Sequence, residues 1–185
     1  MQEEESKIIW QRFLLGDKDA YCRLYNEYVQ LLYRFGLRFT SDGEVIKDCI
    51  QDVFMRLYKD KNRLVVPGNI KVYLFVSLKN SLLRRLHTES KYDYNKPEIG
   101  NFLLEPIVEE QFIDNEQALY QQQKIKDVLA ILTGRQKEII YYRFIQELSF
   151  EEICELMGLN YQSAQNLIQR SLKKIRDNFK KESFE

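Results

Sequence analysis

Gln162, Ser163, Gln165, Asn166, Gln169, Arg170 and Lys173 fall at helical spacing within the run NYQSAQNLIQRSLKKIR at 160–176. On that spacing Ala164, Ile168 and Ile175 take the opposite side and face inward. Amide side chains can pair bidentately with adenine, and a guanidinium can do so with guanine, so this polar side suits the base edges of a DNA major groove. The rival reading is an ordinary solvated helix face. Such a face normally carries Glu and Lys in pairs, whereas this one carries amides. The basic run Arg170, Lys173, Lys174, Arg176, Lys180 and Lys181 also continues where phosphates would lie.

That helix needs a support, and the preceding residues spell one. Ser149 and Glu152 stand in the Ser-x-x-Glu spacing that caps two free amides at a helix start, and Phe150, Ile153, Cys154 and Met157 then recur on one face. The spacing predicts a short helix that must be covered. Gly158 supplies the left-handed residue that ends it, Leu159 plugs the corner, and Asn160 accepts the first amides of the next helix. Helix, three-residue turn and helix make a helix-turn-helix.

Two upstream stretches carry further chemistry. In 48–58, DCIQDVFMRLY, the core stripe is Cys49, Val53, Leu57 and Phe54, which leaves Asp48, Gln51, Asp52 and Met55 outside. Acids beside an exposed Met fit a protein-docking face, with a solvated face as the rival. In 69–86, NIKVYLFVSLKNSLLRRL, Tyr73 and Phe75 are interleaved with Lys71, Lys79, Asn80, Arg84 and Arg85. Aromatics among cations offer stacking for unpaired bases and charge for the strand that carries them, although core aromatics near a basic surface would look the same.

The whole chain of 185 residues balances 28 basic against 28 acidic residues, so nothing attracts it as a whole to nucleic acid and any affinity must come from local segregation. Segregation is present. From Arg56 to Lys91 basic residues are opposed only by Asp60 and Glu89, while from Glu98 to Gln123 there is no basic residue and Glu105, Glu109, Glu110, Asp114 and Glu116 repeat. Cys22, Cys49 and Cys154 lie far apart among apolar residues, and with the single His87 they form no metal-ligand spacing. We expect reduced core thiols, no metal and no cofactor. No apolar run reaches membrane-spanning length, and the acidic start is unlike a signal peptide, so direct membrane association is not expected.

Apolar residues return every three or four positions from Ile8 to Leu15, Tyr21 to Phe39, Val45 to Tyr58 and Ile70 to Leu86. Breaks fall at 16–17, 41–43, 67–69 and 92–106. The expected fold is therefore all-α: a helical domain over 1–91, an acidic linker over 92–115, and a helical domain over 116–185 that carries the helix-turn-helix. The linker either lies in a positively charged channel, imitating a phosphate chain, or is simply solvated.

The order and spacing of these pieces resemble the extracytoplasmic-function sigma factors of bacterial RNA polymerase over nearly the whole chain. The stretch 17–28 looks like the family's first helix, 48–57 like its polymerase-docking helix, 69–85 like its melting and minus-ten segment, and 132–176 like its minus-thirty-five domain. Residues 160–163 and 166–170 are similar to forms from Bacteroidetes. The resemblance implies that Asp48, Gln51 and Asp52, beside Met55, bind core RNA polymerase. It implies that Lys71, Tyr73, Asn80, Arg84 and Arg85 handle the minus-ten strand, with Tyr73 where the family usually has Trp, and with a flipped base captured near Asn80, Arg84 and Arg85. Gln162, Ser163, Gln165, Asn166, Gln169, Arg170 and Lys173 would read the minus-thirty-five element, and the linker would thread the RNA exit path. Promoter DNA, core polymerase and an anti-sigma factor, often membrane-bound in the family, are the implied partners, and the cytoplasm the implied place.

Two residues depart from that pattern. Glu147 stands where the family has Gly before Leu148 and Ser149, and Leu167 occupies a position that is often basic. The alternatives are a dimeric helix-turn-helix regulator with a helical ligand-sensing domain, which leaves the linker and docking helix unexplained, and an enzyme. Against an enzyme stand the single His87 and the lack of any Gly-rich phosphate loop or nucleophile beside a base motif.

Overall fold

The computed structural model describes residues 2–90, 102–103, 127 and 130–182, all helix and connecting turns with no strand among them. The chain separates into two compact units, Met1–Ile99 and Gly100–Glu185. Lys91, the acids between Glu98 and Glu116, and all of 92–115 except Phe102 and Leu103 lie outside the described residues.

The first unit is built from α1 (Gln2–Leu14), α2 (Lys18–Gly36), α3 (Gly43–Asp60) and α4 (Ile70–Ser90). The first three breaks expected from sequence are helix starts with a named acceptor, and the fourth, 92–106, lies outside the described residues except for Phe102 and Leu103. Asp17 accepts from the amides of Asp19 and Ala20 at 2.9 and 3.1 Å, Asp42 from those of Glu44 and Val45 at 3.0 and 3.2 Å, and Asn69 from that of Val72 at 3.2 Å. Side chains that satisfy otherwise orphaned amides fix where each helix begins. A 3-10 turn at Lys61–Arg63 follows α3.

Helix α4 packs against the other three, and α2 packs against both α1 and α3. Their shared core contains Trp10, Phe13, Leu24, Leu32, Phe35, Ile46, Leu74, Phe75, Leu78 and Leu82, all essentially inaccessible. Gly36 lets α2 and α3 approach, since a Cβ there would lie 2.5 Å from Cγ2 of Ile46. The amphipathic reading of α1 holds for Ile9, Trp10 and Phe13, but Ile8 and Leu15 are exposed. An apolar residue at the margin of a stripe is left in water when no neighbouring helix reaches over it.

The second unit contains α5 (Gly134–Ile140), a π-turn at Tyr141–Ile145, α6 (Phe150–Met157) and α7 (Tyr161–Glu182). Helix α7 packs against α5 and α6. A second capping box, beyond the one expected at Ser149, starts α5: the Gln136 amide donates to Oγ1 of Thr133 at 3.4 Å, and the Thr133 amide donates to Oε1 of Gln136 at 3.0 Å. The core gathers Leu132, Ile139, Tyr142, Leu148, Ile153, Leu156, Ala164 and Ile168. Phe102, within the stretch expected as linker, is buried there too, its ring 5.3 Å from that of Tyr141 and 5.9 Å from that of Tyr142.

Candidate nucleic-acid interface

The turn that aims α7 has the local chemistry its residues dictate. The Glu152 amide donates to Oγ of Ser149 at 3.2 Å, and the Ser149 amide donates to Oε2 of Glu152 at 2.8 Å, which closes the expected box. Gly158 sits at φ 60° and ψ 41°, a conformation that costs a residue with a Cβ. Asn160 then accepts from the Ser163 amide at 2.8 Å. Arg135 on α5 donates to the Met157 carbonyl at 3.5 Å, so a preceding helix also holds the end of α6.

Along α7, Ala164 and Ile168 are buried and Ile175 is half-buried, as the spacing requires. Gln162, Gln169, Arg170 and Lys173 are exposed, while Ser163, Gln165, Asn166 and Leu167 are half-buried along the flank. The Gln162 amide donates to Oδ1 of Asn166 at 3.2 Å. That bond orients both amides one turn apart and leaves each a free donor or acceptor for an adenine edge. Ser171 is buried and donates to the Leu167 carbonyl at 2.7 Å, which keeps a hydroxyl inside the helix contact without an unpaired polar group. The side chains of Lys180 and Lys181 lie outside the described residues.

Glu147 has φ 55°, the left-handed region where a glycine would rest without strain. The loop before Ser149 therefore keeps the backbone path that glycine serves, with Glu in its place. Just ahead of it, the Arg143 guanidinium donates to the Leu148 carbonyl at 2.9 Å and lies 5.2 Å from the centre of the Phe150 ring. The π-turn carrying Arg143 has no signature in residue spacing. Beneath it Tyr142 is fully buried and donates to Oε1 of Glu138 at 2.9 Å, and burial pushes its phenol well above the usual range, with the neighbouring carboxylate adding to the shift.

In the first unit, α3 and α4 enclose an open cavity of about 540 Å³ whose lining includes Arg56, Asp60, Leu64, Tyr73, Asn80 and Arg84. Three of the five residues expected at the minus-ten strand therefore meet in one place. Tyr73 is half-buried, edge-on to Trp10 with ring centres 5.4 Å apart, and its phenol is raised chiefly by burial. Arg84 donates from Nε to the Asn80 carbonyl at 3.2 Å. Lys71 lies apart from them, in a smaller cleft with Lys7 and Glu27. Arg85 faces α3, where its guanidinium is 4.0 Å from Oδ2 of Asp48. Phe75 offers no surface for stacking: it is wholly buried and lies flat on Phe35 with ring centres 4.0 Å apart. Arg56, from the other wall, completes the cavity, and only the packing of α3 on α4 reveals it.

The residues expected to form a docking face lie on α3 beside α2. Asp48, Gln51 and Met55 line an open groove with Tyr25, Asn26 and the ion pair of Glu44 and Lys47, and Met55 is 60% exposed although apolar. Asp52 is exposed on the same helix outside that groove, and Phe54 belongs to the core. Cys49 is buried beneath the face, and burial raises its thiol. Among the described residues there is no cluster of side chains suited to a metal and no helix long and apolar enough to cross a membrane.

Comparison with known proteins adds an independent line. The family model described as Sigma-70 region 2 matches residues 24–92, and that described as Sigma-70, region 4 matches residues 122–175, together about two thirds of the chain. RNA polymerase sigma factor YlaC of Bacillus subtilis (strain 168) is 21% identical over 166 residues, covering 89% of this chain and 94% of that protein. ECF RNA polymerase sigma factor SigM of the same organism is 22% identical over 157 residues, covering 83% and 91%. Among solved structures, the sigma factor RpoE of Bartonella quintana in complex with the anti-sigma factor NepR shares the fold, with a TM-score of 0.61 at 17% identity, over 89% of this chain and 98% of that one.

Proposed function

The chain belongs to the sigma-70 family and is an RNA polymerase sigma factor of the extracytoplasmic-function type, and from that premise we propose how its residues divide the work. Residues 1–91 form the domain that docks on core polymerase and opens the minus-ten element, 92–115 the acidic linker, and 116–185 the domain that reads the minus-thirty-five element. Asp48, Gln51, Asp52 and Met55 bind the polymerase. An acidic face with one exposed thioether suits a basic, partly apolar partner surface.

Tyr73, Asn80 and Arg84 hold the displaced strand at the cavity between α3 and α4, where a flipped base finds an aromatic edge, amide hydrogen bonds and a cation. Lys71, in its separate cleft, and Arg85, beside Asp48, supply charge for phosphates farther along the strand. Gln162, Ser163, Gln165, Asn166, Gln169, Arg170 and Lys173 enter the major groove. The observation that carries this reading is the amide and guanidinium face of α7, aimed by a turn in which Gly158 ends α6 and Asn160 caps α7, in one chain with an α3 face that exposes Asp48, Asp52 and Met55.

The factor works without chemistry of its own, in the cytoplasm with the polymerase. An anti-sigma factor, the class of protein bound to the Bartonella relative, restrains it by covering the docking face. A Bacteroidetes-like origin rests on residues 160–163 and 166–170. The dimeric-regulator alternative is not favoured, because the two sigma-70 regions follow one another in a single chain. Transcription in vitro with core polymerase and a promoter library tests the proposal. It stands if a two-part promoter element is selected and transcribed only when the chain is present. Specific transcripts from core polymerase alone, or tight sequence-specific DNA binding by the chain without polymerase, would overturn it.

A further inference from the structure

Tyr161 opens α7 and is 48% exposed, yet it is not a loose side chain. Its ring lies 5.2 Å from that of Phe150, the residue that opens α6, with the planes at 43°. Phe150 is in turn overlaid by the Arg143 guanidinium, which the Leu148 carbonyl holds in place. Helical side chains lean towards the N-terminus of their own helix, so the ring of Tyr161 reaches back across the turn to the start of α6. Aromatic contact of this kind fixes a phenol that has little rotamer freedom to lose. No hydrogen bond among the described residues occupies its hydroxyl.

Where a helix-turn-helix docks, the first helix crosses the sugar-phosphate backbone and the second lies in the groove. A ring that bridges the starts of both helices therefore stands beside a strand, on the edge of the face that carries Gln165 and Gln169. We propose that Tyr161 is a positioning residue for promoter recognition: its hydroxyl donates to a phosphate oxygen on the strand flanking the minus-thirty-five groove and sets the depth at which α7 sits. This rests on the reading of α7 as the recognition helix. Phosphate contacts fix register and carry no sequence information, and a hydrogen bond to a charged acceptor is stronger than one between neutral groups. Phe150 has no hydroxyl to offer, and the Arg143 guanidinium beside it is held by the Leu148 carbonyl.

The test uses the chain assembled with core polymerase, a promoter fragment selected by that holoenzyme, and the variants Tyr161→Phe and Arg170→Ala. Tyr161→Phe keeps the ring on Phe150 and removes only the donor. It is expected to weaken promoter binding about five- to tenfold, equally for every base substitution in the minus-thirty-five element, with an unchanged melting temperature. Replacing single phosphates by neutral methylphosphonates should reveal one position that matters to the wild type and not to Tyr161→Phe. Wild-type affinity in Tyr161→Phe overturns the inference and assigns the ring to packing alone. A change of base preference at one position overturns it too, in favour of a base contact. Altered base preference in Arg170→Ala beside a silent Tyr161→Phe removes this inference and leaves the recognition helix in place, whereas a holoenzyme that selects no promoter removes both.

Discussion

Glu147 shows how a single residue can carry a fold's requirement without meeting it comfortably. Its φ of 55° lies where a side chain crowds the backbone, yet the turn into Ser149 keeps its path because capping and the buried Leu148 fix both ends. Glu147→Gly should raise stability by about 0.5–1 kcal/mol, the relief of strain less the greater freedom of glycine in the unfolded chain, as measured by urea unfolding. Arg170 tests the reading face at the same scale. Arg170→Ala is expected to cost about 1–3 kcal/mol in recognition of the upstream element and to relax preference at one base pair, measured by transcription from promoter variants; unchanged preference would place the helix wrongly. Gln162 and Asn166 were legible as polar positions, but their mutual hydrogen bond is a matter of rotamers that spacing leaves open.

Helix starts were the most legible elements, because an acceptor one residue before an apolar stripe acts locally. Asp17 illustrates the energetics. The Ala20 amide, then the Arg12 guanidinium, hold its carboxyl below the usual carboxylate range. A depressed acid contributes stability above the unfolded-state value of about 4 and loses it as pH falls through its own lower value. Asp17→Ala should therefore lower the melting temperature at neutral pH, and the gap to wild type should narrow as the pH is taken to about 3; a constant gap would mean that the charge contributes nothing. Phe102 was illegible for the opposite reason. Its neighbours in sequence lie in the stretch read as linker, and Tyr141 and Tyr142, far along the chain, are what place its ring among the described residues. Phe102→Ala should destabilise the second unit by about 3–5 kcal/mol, followed by chemical unfolding, whereas a residue of a free linker would tolerate the change.

At the scale of the whole molecule, charge is balanced overall and segregated locally, and affinity for DNA follows from that. The chain alone should bind duplex promoter DNA weakly and with only a shallow loss on adding salt, since each domain offers few phosphate contacts. Joined to core polymerase, both domains engage one DNA molecule and the second contact becomes intramolecular, so binding should tighten by about a hundredfold or more. Fluorescence anisotropy with and without core polymerase over a range of salt measures both effects; equal affinities would contradict the proposed division of labour. By itself the sequence determined the helical stripes, the caps of α6 and α7, the helix-turn-helix and the side of α7 that is polar, because periodicity and capping are interactions between residues a few positions apart. Tertiary structure alone decided that Phe75 is core while Tyr73 lines a cavity, that Arg56 joins Asn80 and Arg84 while Arg85 turns to Asp48, and that Tyr161 is clamped on Phe150. These depend on which helix faces which, and contacts between distant segments leave no spacing to read.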